Sequence, residues 1–184
     1  MQTEIIISGF GGQGVLFAGQ LLAYCALDYE KQVTWFPSYG PEMRGGTAHC
    51  TVIISDEEIG SPVVKNPTTA IVMNLPSLDK YESLVKTNGL LIVNASLVDR
   101  SPQREDIDII EISANEIAEE IGDRRLINLV LVGALLQRHP ILSIQQVGIS
   151  LEKHIPSRHR DLLEMNIAAL KRGFQIAEGA KITV

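Results

Sequence analysis

Gly9-Phe10-Gly11-Gly12-Gln13-Gly14 stands between the β-branched run Ile5-Ile6-Ile7 and the apolar run Val15–Tyr29. A strand, a tight glycine turn and a helix in that order open an α/β fold. Glycine lets the backbone turn sharply and approach a ligand closely. The N–H groups at the start of the helix attract an anion, and Gln13 adds an amide donor and acceptor nearby. Gly9, Gly11 and Gly14 fit the GxGxxG spacing of dinucleotide-binding folds. The rest of that fingerprint is missing. An acidic residue for the ribose is expected roughly 20 residues on, at the end of the second strand. Thr34-Trp35-Phe36-Pro37-Ser38 has none, and the nearest arginine, Arg44, belongs to a different pattern. Val15 follows Gly14 where a phosphate loop needs Lys and Ser/Thr. The turn is therefore open to close helix–sheet packing without a ligand, a classical NAD(P) site, another phosphate-bearing ligand, or a subunit contact.

Working outward, Glu4–Ser8 reads as a buried strand and Val15–Tyr29 as a helix buried on more than one side. Lys31–Phe36 reads as a second strand, ended by Pro37. Thr47–Ile54 alternates, with Ala48, Cys50, Val52 and Ile54 on one face, so it is a strand with one apolar face. Further strands are expected at 69–73, 90–93 and 108–112, and helices at 77–85, 113–121, 126–137, 143–153 and 159–177. Ser113 with Glu116 has the spacing of a capping box. The polar stretch 101–106 is expected to be a mobile loop. Strand–helix alternation with no long linker implies an α/β fold: a single-domain three-layer sandwich spanning 1–184. Its sheet is largely parallel, with one antiparallel excursion around residues 47–60 and a helical C-terminal part.

The chain has 184 residues, 45% of them hydrophobic, 21% charged and 5% aromatic. A core of Ile, Leu, Val and Ala follows, which suits a parallel sheet covered by helices. The net charge of −6 and the absence of a basic cluster speak against a nucleic-acid partner. No apolar run reaches the roughly 20 residues of a membrane span, and no signal-peptide pattern opens the chain, so a cytoplasmic protein is expected. Cys25 and Cys50 are the two cysteines. Both read as small core residues, and they are too few for a cubane cluster, which takes about four thiolates.

The second loop, Pro37–Gly46, reads Pro37-Ser38-Tyr39-Gly40-Pro41-Glu42-Met43-Arg44-Gly45-Gly46. So many special residues in a loop of about ten favour function over accident. Arg44 can fork onto a carboxylate or phosphate; a solvated Glu42–Arg44 pair is the plainer reading. GFGGQG with Gly19 and Leu22 behind it, then SYGPEMRGGTAHC, resembles the gamma subunit of 2-oxoacid:ferredoxin oxidoreductases. Ser61-Pro62 and Asn128…Gly133-Ala134-Leu135 match as well, so the resemblance covers nearly the whole chain.

The resemblance implies a multisubunit enzyme that oxidatively decarboxylates a 2-oxoacid with coenzyme A and reduces ferredoxin. Thiamine diphosphate and iron–sulfur clusters then sit on alpha-, beta- and delta-type partners, while the gamma part contributes coenzyme A association and subunit contacts. The wording SYGPEMRGGTAHC is most similar to the 2-oxoglutarate branch, with pyruvate, branched-chain and indolepyruvate enzymes as close relatives. Together with the anion logic at the helix start, it directs Gly9, Gly11, Gly12, Gln13, Gly14, Ser38, Tyr39, Gly40 and Arg44 to coenzyme A. Pro41, Glu42, Met43, Gly45 and Gly46 are directed to a partner subunit. An isolated chain without catalytic activity, and capable of forming a homodimer, is expected.

His49 lies on the polar face of a strand, and His139, His154 and His159 show no paired-ligand spacing. No nucleophile–base set and no metal site emerge. A free-standing NAD(P)-dependent dehydrogenase and a non-catalytic scaffold are the competing classes.

Overall fold

The computed structural model describes residues 1–39 and 47–180; the expectations for Gly40, Pro41, Glu42, Met43, Arg44, Gly45 and Gly46 lie outside the described residues. The first half runs β1 (Gln2–Phe10), α1 (Val15–Asp28), β2 (Gln32–Tyr39), β3 (Thr47–Ser55), β4 (Thr69–Val72), α2 (Leu75–Tyr81) and β5 (Leu90–Asn94). The second runs β6 (Asp108–Ile112), α3 (Ala114–Ile121), α4 (Ile127–Arg138), α5 (Ile144–His154) and α6 (Leu163–Gly179). Short 3₁₀ turns precede α4 and α6 and follow α2.

The strands form one six-stranded sheet in the order β2-β3-β1-β4-β5-β6. β1, β4, β5 and β6 are parallel, and β3 runs antiparallel to both β1 and β2. The expected antiparallel excursion is therefore β3, inserted between β1 and β2. Ala48, Cys50, Val52 and Ile54 are buried as the alternation requires. One sheet face carries the main core, built from α1, α3, α4, α5 and α6 against Ile5, Ile7, Ile71 and Ile92. The other face is covered by α2 over Ile6, Val72 and Val93. The sheet and its two helical layers match the expected three-layer sandwich.

Four local expectations are corrected. β2 does not stop at Pro37 but continues to Tyr39, with Pro37 opposite Cys50. It is the edge strand, where a missing N–H is tolerated. Ser113 makes no side-chain cap. Instead the Ala114 N–H donates to Asn94 Oδ1 at 3.2 Å and the Asn115 N–H to Ser96 Oγ at 3.0 Å. The stretch 101–106 is tied down: the Arg104 guanidinium donates to the carbonyls of Glu82 and Val85 and pairs with Asp106. The last helix begins later than expected, with a 3₁₀ turn over Ser157–Leu162 before α6.

Candidate functional site

The glycine turn closes on itself. The Gln13 N–H donates to the Phe10 carbonyl at 3.2 Å, and the Phe10 N–H donates to Gln13 Oε1 at 2.6 Å. Gly12 and Gly14 take φ of 98° and 75°, values a side chain rarely adopts. Gly14 caps α1 without a side-chain acceptor, and no acidic residue sits in the first turn. The leading N–H groups of α1 therefore keep their capacity for an anion.

Asn128, in the first turn of α4, holds this turn from the other side. It is only 3% exposed. Its Nδ2 donates to the Gly14 carbonyl at 3.0 Å, and its Oδ1 accepts the Leu129 N–H at 2.9 Å. A Cβ on Gly14 would run into the Asn128 side chain, so the two residues fit only as a glycine and its clasp.

Between these helix starts lies a cavity of about 280 Å³. Gly12, Gly14 and Phe17 form one wall, Leu129 and Leu162 another, and Asn166 of α6 lies at its side. Asp123 and Arg125 stand on its rim, joined by three contacts of 2.6 to 3.0 Å between the guanidinium and the carboxylate. The Arg125 side chain is 70% exposed.

The register also joins the two glycine-rich stretches. Phe10 lies opposite Thr47, Tyr39 opposite Ala48, and His49 between Ser8 and Ser38. The segment 40–46 thus leaves β2 and enters β3 at the sheet end that carries the glycine turn. Adjacent strands are about 4.8 Å apart, so its two ends start one and two strands from β1. Gly9, Gly12, Gln13, Gly14, Ser38 and Tyr39 share this end of the molecule. Asn128, Asn166, Asp123 and Arg125 join them without having been singled out as site residues. A polar residue within the strongly apolar run 126–137 was the available signal for Asn128; nothing local marked the others.

Burial pushes both thiols up to about 12, with Asp28 reinforcing the effect at Cys25 and a Trp35 contact opposing it at Cys50. His49 is held below its ordinary value by burial and by Lys80, which keeps it neutral at physiological pH. Among the described residues no group of three or more His, Cys, Asp or Glu could hold a metal ion, and no helix is long and apolar enough to cross a membrane.

The family model for pyruvate ferredoxin/flavodoxin oxidoreductase matches residues 4–176. The chain belongs to this family. It is 34% identical to the 2-oxoglutarate synthase subunit KorC of Methanocaldococcus jannaschii, over 97% of this chain and 95% of that one. Its fold matches the gamma subunit of a keto/oxoacid ferredoxin oxidoreductase from Geobacter sulfurreducens PCA, with a TM-score of 0.86, 29% identity, and 98% and 99% of the two chains covered. It is also 39% identical to the ketoisovalerate oxidoreductase subunit VorA of Methanothermobacter marburgensis, over 73% of this chain. There the matched part is 28% of the relative, so the chain spans little more than a quarter of the length of relatives of that kind.

Family membership bears out the resemblance carried by the two glycine-rich stretches, and the sheet explains why the dinucleotide fingerprint is incomplete. In the classical dinucleotide fold β2 lies beside β1, so a residue at its end reaches the ribose. Here antiparallel β3 separates them. A ribose-binding acid at the end of β2 would stand a full strand too far away.

Proposed function

We propose that the chain, from 1 to 184, is one gamma-type domain of a cytoplasmic oxidoreductase complex that acts on a 2-oxoacid and reduces ferredoxin. Its partners are alpha-, beta- and delta-type subunits carrying thiamine diphosphate and the iron–sulfur clusters. Full-length likeness to subunits named for 2-oxoglutarate favours conversion of 2-oxoglutarate to succinyl-coenzyme A. This chain contributes coenzyme A association and subunit contacts, and no catalytic group of its own. The thiamine and cluster centres supply the decarboxylation and electron transfer; this chain's residues bind and orient.

The observation that carries the proposal is the uncapped start of α1, opening beside a cavity at the sheet end where the segment 40–46 begins and finishes. The backbone N–H groups of Gly12 and of Gly14 to Phe17 offer an anion site, and Arg44 adds a guanidinium for a phosphate. Pro41, Glu42, Met43, Gly45 and Gly46 serve as subunit contacts in this reading. Phe36, 65% exposed on the bare side of the β2–β3 edge, favours a partner there as well, a second copy being the expected one for the isolated chain.

Gly12 offers a direct test, because a Cβ there meets nothing within 4 Å. Gly12→Val adds backbone strain of about 1–2 kcal/mol but no clash within the fold. In the assembled complex it is expected to raise the KM for coenzyme A about tenfold, equivalent to about 1.4 kcal/mol of lost binding, with the 2-oxoacid KM unchanged. Arg44→Ala is expected to lower coenzyme A affinity or weaken assembly. Unchanged coenzyme A kinetics in Gly12→Val, with intact affinity and assembly in Arg44→Ala, would contradict the proposal.

A further inference from the structure

We propose that the exposed ridge of α1 seats a pair of helices from another subunit of the complex, which press neutral, apolar side chains into the grooves on either side of it. The inference rests on the subunit reading above and assigns it a surface. No residue of α1 before Asp28 is charged. Its three exposed residues are Phe17, Tyr24 and Leu27, at 40%, 39% and 58%. With the half-buried Gln20 they form one stripe at spacings of 3, 4 and 3. A solvent-facing helix carries charge on its outer side, as α3 does with Glu116, Glu119 and Glu120. The outer side of α1 carries none, and the centres of protein interfaces are depleted of charge in the same way.

Two grooves of about 220 Å³ each flank the ridge. Val33 and Trp35 of β2 close the first; Leu151 and His154 of α5, with Ile155 and Pro156, close the second. Both are preformed. Gly19 lets α1 lie directly on Cys50 and Trp35, where a Cβ would clash, and Tyr24 stacks on the His154 ring. Gln20 Nε2 donates to the Tyr24 hydroxyl at 3.0 Å, a bond that a neutral partner can cover without breaking. Two grooves astride one ridge accept two ridges side by side, the outline of a helix pair. A second copy would bring the single α1 ridge and fill one groove. The ridge from Phe17 to Leu27 is about 15 Å long, and helices packed about 10 Å to either side outline a footprint of roughly 300 Å². A standard interface takes about 800 Å² per partner, so the ridge is the centre of a larger contact whose polar rim begins at the Asp28–Lys153 pair. In the VorA relative the matched part is 28% of the chain, so the equivalent unit there is joined to a far longer stretch of the same polypeptide. A neighbour held that way is permanent, and permanent interfaces are the more apolar ones.

The test is assembly of the complex from its separate subunits, followed by sedimentation, with two variants of this chain. Leu27→Glu charges the most exposed point of the ridge. Gln20→Glu turns an amide into a carboxylate of the same size. Both side chains reach solvent in the isolated chain, so its melting temperature is expected to stay close to wild type. Covering an unpaired carboxylate with a neutral partner is costly, and both variants are expected to weaken assembly by about tenfold or more. Ile149→Glu changes an equally exposed apolar residue outside both grooves and is expected to assemble as wild type. Assembly of both ridge variants at wild-type affinity, or an equal loss in Ile149→Glu, would overturn the proposal. So would ridge variants that turn a dimer of the isolated chain into a monomer yet still assemble, because the ridge would then be a contact between copies. Gly12→Val leaves the ridge intact, so its coenzyme A kinetics stand or fall separately. Failure of the wild-type chain to assemble with any such subunit would overturn both this proposal and the reading beneath it.

Discussion

Asp28, the last residue of α1, gathers three donors from α5. Ser150 Oγ donates at 2.8 Å, His154 Nε2 at 2.9 Å, and Lys153 closes a short ion pair. Tyr24 stacks on the His154 ring at 4.6 Å between centroids. Burial alone would raise the Asp28 carboxyl, but the hydrogen bonds from Lys153, Ser150 and His154 outweigh it and hold it at about 2, below its ordinary 3.8. A carboxyl depressed in the fold stabilises it above its unfolded value and loses that contribution on acidification. Asp28→Asn is expected to cost roughly 1–3 kcal/mol at neutral pH, the scale of hydrogen bonds to a charged group. In paired urea melts the gap between wild type and variant should narrow as pH falls from 3.8 towards about 2. A gap of constant size across that range would contradict the account. None of this clasp is legible locally, because Asp28 and its partners are separated by 122 to 126 residues. The same holds for Asn128 and Gly14, 114 residues apart. The turn itself was legible, since its glycines act on their own backbone. The residues that lock and line it come from α4 and α6, and only the fold brings them there.

Among the elements, α4 and α6 pack so closely that their glycines become obligatory. A Cβ on Gly173 would strike the Val130 carbonyl, and one on Gly133 the Leu170 carbonyl. Backbone atoms cannot swing aside as a flexible side chain can. Gly173→Ala gains about 1 kcal/mol of helix propensity, but overpacking costs about 1–3 kcal/mol, and here the obstacle is rigid. The variant is expected to melt several degrees lower, at about 2–4 °C per kcal/mol for a chain of this size. A melting temperature equal to or above wild type would show that the helices can part freely. Periodicity placed the body of α6, whose apolar residues recur along one stripe, whereas α4 was legible as an unbroken apolar run and is buried on every side from Ile127 to Leu136. Their starts were harder to read. Asn94, the last residue of β5, and Ser96, in the turn after it, cap α3 in place of the nearby Ser113. Pro37 stays within β2 because β2 is an edge strand, a property of sheet order rather than of local sequence.

For the whole molecule, the sheet order decides what the glycine turn can do. With β3 between β1 and β2, the nucleotide crevice of a dehydrogenase is not formed in the usual way. The open end of α1 faces a cavity at the sheet end where β2 finishes and β3 starts. The measurement that tests this most directly is amide hydrogen exchange of the assembled complex with and without saturating coenzyme A. The account predicts slowed exchange at the N–H groups of Gly12 and of Gly14 to Phe17, with the distant start of α5 unaffected. Coenzyme A saturation without any protection at these groups would contradict it.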